Sequence, residues 1–103
     1  MFPIDDEKAQ EITYDAIRGA GGLNDDDPIA NDDKLSELGV IGDAGVDDME
    51  TRIIDDLEAE RPALELGLDD FKGIDDSSEA GEVVEIVTNA RPKQNKHQKP
   101  QKQ

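Results

Sequence analysis

Met49, Ile53, Ile54 and Leu57 recur at helical spacing inside a stretch that is otherwise almost wholly acidic, and this pattern constrains the fold more than any other feature of the chain. Glu50, Asp55, Asp56, Glu58 and Glu60 fill the remaining positions, opposed only by Arg52. Such a helix has to bury one face and solvate the other. Asp47 reads as its N-cap, because a carboxylate there accepts from the orphan amides, and Glu50 three residues on completes an aspartate version of the capping box. The helix is expected from Met49 to about Glu60, opened by Gly45-Val46-Asp47-Asp48-Met49. Arg61-Pro62 ends it, since proline cannot donate to the preceding turn and disfavours helix just before it.

Charge narrows the choices further. The chain has 103 residues and a formal net charge of −16. All 27 acidic residues lie in positions 1–90, against Lys8, Arg18, Lys34, Arg52, Arg61 and Lys72, so this body carries −21. Residues 91–103 hold five basic residues and no acidic one. The body repels nucleic acid and anionic membranes and attracts basic protein surfaces. Leu, Ile, Val and Phe number 23 of the 103 residues, just above the level at which a highly charged chain stays disordered. One small, marginally stable domain at 1–90 and a disordered basic tail at 91–103 are expected.

Further helices follow from the same logic. Asp5 or Asp6 caps a first helix to about Arg18, with Ala9, Ile12, Thr13, Ala16 and Ile17 as its stripe and Gly19-Ala20-Gly21-Gly22 as its stop. Leu23 to Lys34 is a long acidic loop, and no window in it supplies the ligand spacing of a calcium-binding EF-hand. Asp32-x-x-Leu35-x-x-Leu38-Gly39 is a short turn stopped by glycine. Leu64, Leu66 and Leu68 belong to an extended segment lying against the core, and Asp69 to Ile74 form another short turn. The last helix starts near Asp76 and Glu79, which have capping-box spacing, and buries Ala80, Val83, Val84 and Val87. Val83 to Val87 would suit a strand by local propensity, but no second strand offers a pair.

Several chemistries are excluded. There is no cysteine, hence no disulfide, thiolate chemistry or cysteine-based metal site. The single histidine, His97, sits in the polar tail, so no fixed base exists for nucleophilic catalysis. Gly19 to Gly22 lacks a phosphate-binding lysine. No apolar run approaches membrane-spanning length, and Met1 to Asp6 lack the regions of a signal peptide. A soluble, cytoplasmic, monomeric protein without catalytic residues or bound metal is expected.

From about Asp5 to Asn89 the order of elements resembles the acyl carrier protein family. The resemblance rests on the first helix, the acidic loop, Asp32-x-x-Leu35-x-x-Leu38-Gly39, and Gly45-Val46-Asp47-Asp48-Met49 opening an acidic helix that ends Leu57-Glu58. It continues through the Leu64 and Leu66 loop, the Asp-rich turn and the valine-rich closing helix. It implies a small acidic four-helix bundle, here three main helices plus short turns. It also implies docking on basic partner surfaces through the second helix. In that family a serine in Gly-x-Asp-Ser-Leu carries a phosphopantetheine arm; Asp48 stands at that position here. A carboxylate cannot form the phosphodiester, so no cofactor is expected. Ser36, Ser77 and Ser78 lie in other elements. An insertion before Gly45, and Arg61 where the family usually has an aromatic residue, depart from the pattern.

The expectation is an all-α, acyl-carrier-like interaction module that is not an enzyme. Its partner-binding candidates are Asp47, Asp48, Glu50, Asp55, Asp56 and Glu58. The plainer reading makes Asp47 and Asp48 helix caps and the others a solvated face. Two further classes compete: a working acyl or peptidyl carrier modified at another position, and an acidic nucleic-acid mimic that blocks basic sites.

Overall fold

The computed structural model describes residues 4–60 and 63–92. It is mostly helical, with three α-helices: α1 at Asp6–Gly21, α2 at Gly42–Glu58 and α3 at Ala80–Val87. Two 3-10 turns, Leu35–Leu38 and Leu68–Phe71, and a two-stranded ribbon complete it. The four α-helices implied by the resemblance are not formed among the described residues.

α1 forms as its sequence dictates. The Asp5 carboxylate accepts from the Lys8 N–H at 2.8 Å, Asp6 and Glu7 occupy the first turn, and Arg18 the last. Ala9, Ile12, Thr13, Ala16 and Ile17 are all buried, joined by Tyr14. The helix runs on to Gly21 and closes on Gly22, whose φ of 74° is the left-handed cap, with the Gly22 and Leu23 N–H groups both donating to the Arg18 carbonyl. Gly21 has a second duty. A Cβ there would collide with the Leu38 carbonyl oxygen, so glycine lets the first 3-10 turn pack against the end of α1.

α2 differs from the expectation at its start. It begins at Gly42, seven residues before Met49, so the Gly45–Met49 motif lies inside the helix and Asp47 is not its cap. The Asp47–Glu50 capping box is therefore not formed. Ile41 is the extended N-cap residue and supplies no side-chain bond. The first N–H, of Gly42, donates at 2.9 Å to Asp76 Oδ2, a carboxylate 34 residues away. Val46 is buried in the early turns, and a Cβ on Gly45 would lie 3.3 Å from the Val40 carbonyl carbon, so tertiary packing overrides the poor helix propensity of Gly42 and Gly45. The far end stops at Glu58; the Arg61-Pro62 stop lies outside the described residues.

α1 and α2 run antiparallel. Lys8, early in α1, pairs with Glu60 just beyond α2 at 3.5 Å, while Gly19, late in α1, sits under the Arg52 guanidinium. α3 packs on α1 as well. Its start is pinned to the acidic loop, with Ala80 N–H donating to the Asp33 carbonyl and Gly81 N–H to the Asn31 carbonyl, both at 2.8 Å. A Cβ on Gly81 would lie 3.0 Å from Asn31 Cβ, which explains a glycine in the first turn of a helix. The cap of α3 is set three residues later than expected: Glu82 Oε2 accepts from the Glu79 N–H, and Asp76 serves α2 instead.

Val83 to Val87 are helical as expected, and a short ribbon elsewhere adds to the all-α expectation. Leu64–Glu65, β1, pairs antiparallel with Arg91–Pro92, β2, in the register Leu64 to Pro92 and Glu65 to Arg91. Arg91 is held further by Asp70 at 3.2 Å. The first two residues assigned to the tail thus belong to the fold, and residues 93–103, with His97, lie outside the described residues. Leu64 and Leu66 are buried as expected, but Leu68 is 58% exposed.

The core gathers Ile17, Leu35, Val40, Met49, Ile53, Leu57, Val83 and Val87, all at 0% exposure. No helix among the described residues is long and apolar enough to cross a membrane.

Candidate functional site

α2 carries all six candidate residues, and the helical period sorts them into three directions. Met49, Ile53 and Leu57 define the buried side. Asp48 and Asp55 lie nearly opposite and are exposed, with Asp47 and Glu58 exposed on the neighbouring flank. Asp48 is six residues into α2 and pairs with Arg52 one turn on, Oδ2 to Nε at 3.3 Å, with both side chains 48% exposed. A surface pair of this kind contributes a few tenths of a kcal/mol, about the value of an i,i+4 helix pair.

Asp56 takes a second direction, toward α1. Burial raises its carboxyl above the usual range, and the charges of Asp15, Asp55 and Glu60 add to that, with Lys8 opposing. This corner is where the two antiparallel helices bring carboxylates together, and the Lys8–Glu60 pair partly offsets them.

Glu50 takes the third direction and departs most from its expected role. It was expected on the solvated acidic face, yet it is 6% exposed. Burial pushes its carboxyl up to about 7, and the charge on Asp47, one turn earlier, adds to the push. It is therefore the weakest docking candidate of the six, because a partner cannot reach most of it in the free chain. The signal for this was in the sequence: Val46, Met49, Glu50, Ile53 and Leu57 follow the spacing of a buried stripe.

Two carboxylates of the acidic loop turn to its own backbone. Asp27 Oδ2 accepts from the Asn24 N–H at 2.8 Å and Asp33 Oδ2 from the Ala30 N–H at 2.9 Å. Among the described residues no group of three or more His, Cys, Asp or Glu is placed to hold a metal ion. A groove of about 480 Å³ between α1 and α3 has a mixed lining that includes Gln10, Asn31 and Val84. Tyr14 links two of these residues, its hydroxyl donating to Asn31 Oδ1 at 2.5 Å and accepting from Gln10 Nε2 at 3.0 Å.

The serines occupy distinct settings. Ser78 is buried, and its Oγ accepts from the Asp75 N–H at 3.1 Å. Ser36 is half-buried in the first 3-10 turn, and Ser77 is exposed beside Asp76, whose carboxylate caps α2. The cap by Asp76 is a structural contact that sequence reasoning missed, and no local pattern announces a cap delivered from 34 residues away.

Comparison of the chain with family models, curated proteins and solved structures gives no match.

Proposed function

We propose that this chain is a non-catalytic interaction module of acyl-carrier-like design that docks through the acidic outer edge of α2 onto a basic surface of a partner protein. The observation that carries the reading is a fully buried inner face, Met49, Ile53 and Leu57, on the same helix as exposed Asp47, Asp48, Asp55 and Glu58. The buried face fixes the helix, so its carboxylates keep their spacing with little ordering cost on docking. Charge complementarity of this kind raises on-rate and specificity more than affinity. A body at −21 favours basic proteins over nucleic acid or anionic membranes.

This module works without a phosphopantetheine arm. Arm transfer needs a hydroxyl held within reach of the coenzyme A pyrophosphate at an exposed helix start. Asp48 offers a carboxylate in place of that hydroxyl, already paired with Arg52 and well inside α2. One observation favours a carrier as second reading: Ser77 is an exposed hydroxyl next to the residue that caps α2. Intact mass after incubation with coenzyme A and a phosphopantetheinyl transferase separates the two. No mass gain is expected, and a gain abolished by Ser77→Ala would replace the armless reading.

Docking is tested with two variants of equal net charge. One removes charge from α2 (Asp47→Asn, Asp48→Asn, Asp55→Asn, Glu58→Gln), the other from elsewhere (Asp25→Asn, Asp26→Asn, Asp32→Asn, Asp69→Asn). A protein retained by the native chain and the second variant but not by the first, and released by salt, is the expected result. Equal loss from both would mean that only total charge matters and would refute an α2 site.

A further inference from the structure

Unmet polar groups from three segments line the groove of about 480 Å³ between α1 and α3. Asp6 and Gln10 lie one turn apart on α1, Val84 and Glu85 come from α3, and Asn31 joins them from the acidic loop. Tyr14, 9% exposed, fixes two of these groups, because its hydroxyl donates to Asn31 Oδ1 and accepts from Gln10 Nε2. Gln10 Oε1 and Asn31 Nδ2 are left without a partner among the described residues. The Asp6 and Glu85 carboxylates likewise make no hydrogen bond or ion pair among the described residues.

The nearby cations are turned elsewhere. No lysine or arginine among the described residues lines the groove. Lys8 pairs with Glu11 and Glu60, and Arg18 with Asp15 and the Asp27 carbonyl. No residue of α2 lines the groove either, so this surface is separate from the α2 edge. A second hollow, of about 420 Å³, shares Gln10 with the first and adds Glu7, Glu11 and the already engaged Arg18. The lining of the two along α1 runs from Asp6 to Arg18, a rise of about 18 Å. That is the length of a peptide segment rather than of one small cation.

We propose that the α1–α3 groove is a second docking surface, which takes an arginine from a peptide segment of a partner protein. Its guanidinium lies between Asp6 and Glu85 and its aliphatic stem against Val84. A guanidinium presents five donors in a planar fork and no acceptor, so it meets carboxylates on both walls and Gln10 Oε1 as well. It is also less strongly hydrated than an ammonium, which favours it in a hollow with an apolar side. Asn31 Nδ2 is the donor left over, and a peptide carbonyl beside the arginine can accept from it. Binding here needs nothing from the α2 edge.

The probe is an acetylated, amidated alanine peptide with one central arginine, titrated at low salt into the full chain and followed by amide chemical shifts. Saturable shifts should centre on Asp6, Gln10, Asn31 and Glu85, with the side-chain amides of Gln10 and Asn31 among them. Shifts centred on α2, or none, would refute the site. Citrulline in place of the arginine keeps the shape and removes the charge. Affinity should then fall about tenfold, as for lost charge-assisted hydrogen bonds, and equal binding would overturn the pairing. Lysine in its place should bind several-fold more weakly, and equal binding would overturn the choice of a guanidinium. Ethylguanidinium, the fork without a backbone, should also bind several-fold more weakly, and parity with the peptide would rule out a peptide occupant. Two variants of equal net charge, both changed only at exposed side chains, complete the test. Asp6→Asn with Glu85→Gln should weaken the arginine peptide about tenfold, whereas Asp47→Asn with Asp55→Asn should leave it unchanged. Equal loss from both would reduce the effect to total charge and overturn the groove. Failure here leaves the α2 docking reading standing, because no residue of α2 takes part.

Discussion

Glu50 turns the packing of α2 into a measurable pH dependence. In the unfolded chain its carboxyl ionises near the ordinary 4.5, whereas in the fold burial holds it at about 7. As pH rises from 4.5 to 7 the unfolded state loses its proton while the folded state keeps it, so Glu50 destabilises the fold progressively across that window. The penalty is absent below about pH 4.5 and complete above about pH 7. Each tenfold change in proton affinity is worth about 1.4 kcal/mol, which sets a ceiling of about 3.4 kcal/mol. Salt screens the Asp47 share and water reaches the edge of the carboxyl, so about 2 kcal/mol is expected.

Glu50→Gln keeps the size and removes the titration. Urea unfolding of both proteins at pH 5 and pH 8 gives four free energies, and the double difference cancels every carboxylate that the two proteins share. The variant should gain about 1.5 kcal/mol relative to the native chain between pH 5 and pH 8, since part of the penalty is already present at pH 5, and this is a sizeable part of the ~5 kcal/mol available to a marginal domain. A double difference near zero would show that Glu50 is solvated in solution and would refute its burial.

Leu57→Ala empties a fully buried position on α2 and should cost ~2–5 kcal/mol, leaving the chain largely unfolded in thermal melts at room temperature. Thr13→Val should stabilise by about 1 kcal/mol in urea titration, because the buried Thr13 hydroxyl has no hydrogen-bond partner among the described residues. Asp76→Ala removes the cap on Gly42 and should cost about 1 kcal/mol, with faster amide exchange confined to residues 42–46. The melting temperature should rise with ionic strength as repulsion within the body is screened, and a flat response would mean that its carboxylates are already well spaced.

The helices were legible where an apolar stripe stood alone. Ala9 to Ile17 and Ala80 to Val87 gave their elements correctly because burial follows the helical period, and in α3 that period outweighed the strand propensity of its valines. The first turns of α2 were not legible. Gly42 and Gly45 read as linker, and their cap comes from Asp76, a contact that exists only after the chain has folded. The ribbon was hidden for a similar reason: Arg91 and Pro92 carry no apolar signal, and their place depends on Leu64, Glu65 and Asp70. Of the candidate edge, Asp47, Asp48, Asp55, Asp56 and Glu58 are exposed, with Asp47 and Asp48 inside α2 rather than at its start. Glu50 was misplaced because its charge was weighed above its position in the buried stripe.

An acidic excess of this size invites the view that the carboxylates act only through their sum, and the structure argues for a division of work instead. Asp5, Asp27, Asp33, Asp70, Asp76 and Glu82 each accept from a backbone N–H, so they close helix starts and turns that would otherwise leave amides unpaired. Those six are structural, and Asp70 shows the energetic sign: its bond from Gly67 and then its pairing with Arg91 hold its carboxyl below the usual range. Asp47, Asp48 and Asp55 receive no backbone bond among the described residues. They stand on a helix fixed by its buried side, whereas Asp25 and Asp26 stand on a loop. Rigid spacing is what a specific basic surface can read and a diffuse charge cloud cannot supply. The outer edge of α2 is accordingly where neutralising a few residues should abolish binding while the fold survives. Removing the same charge from Asp5, Asp27, Asp33 or Asp76 should instead loosen the helix start or turn that each closes, at about 1 kcal/mol apiece.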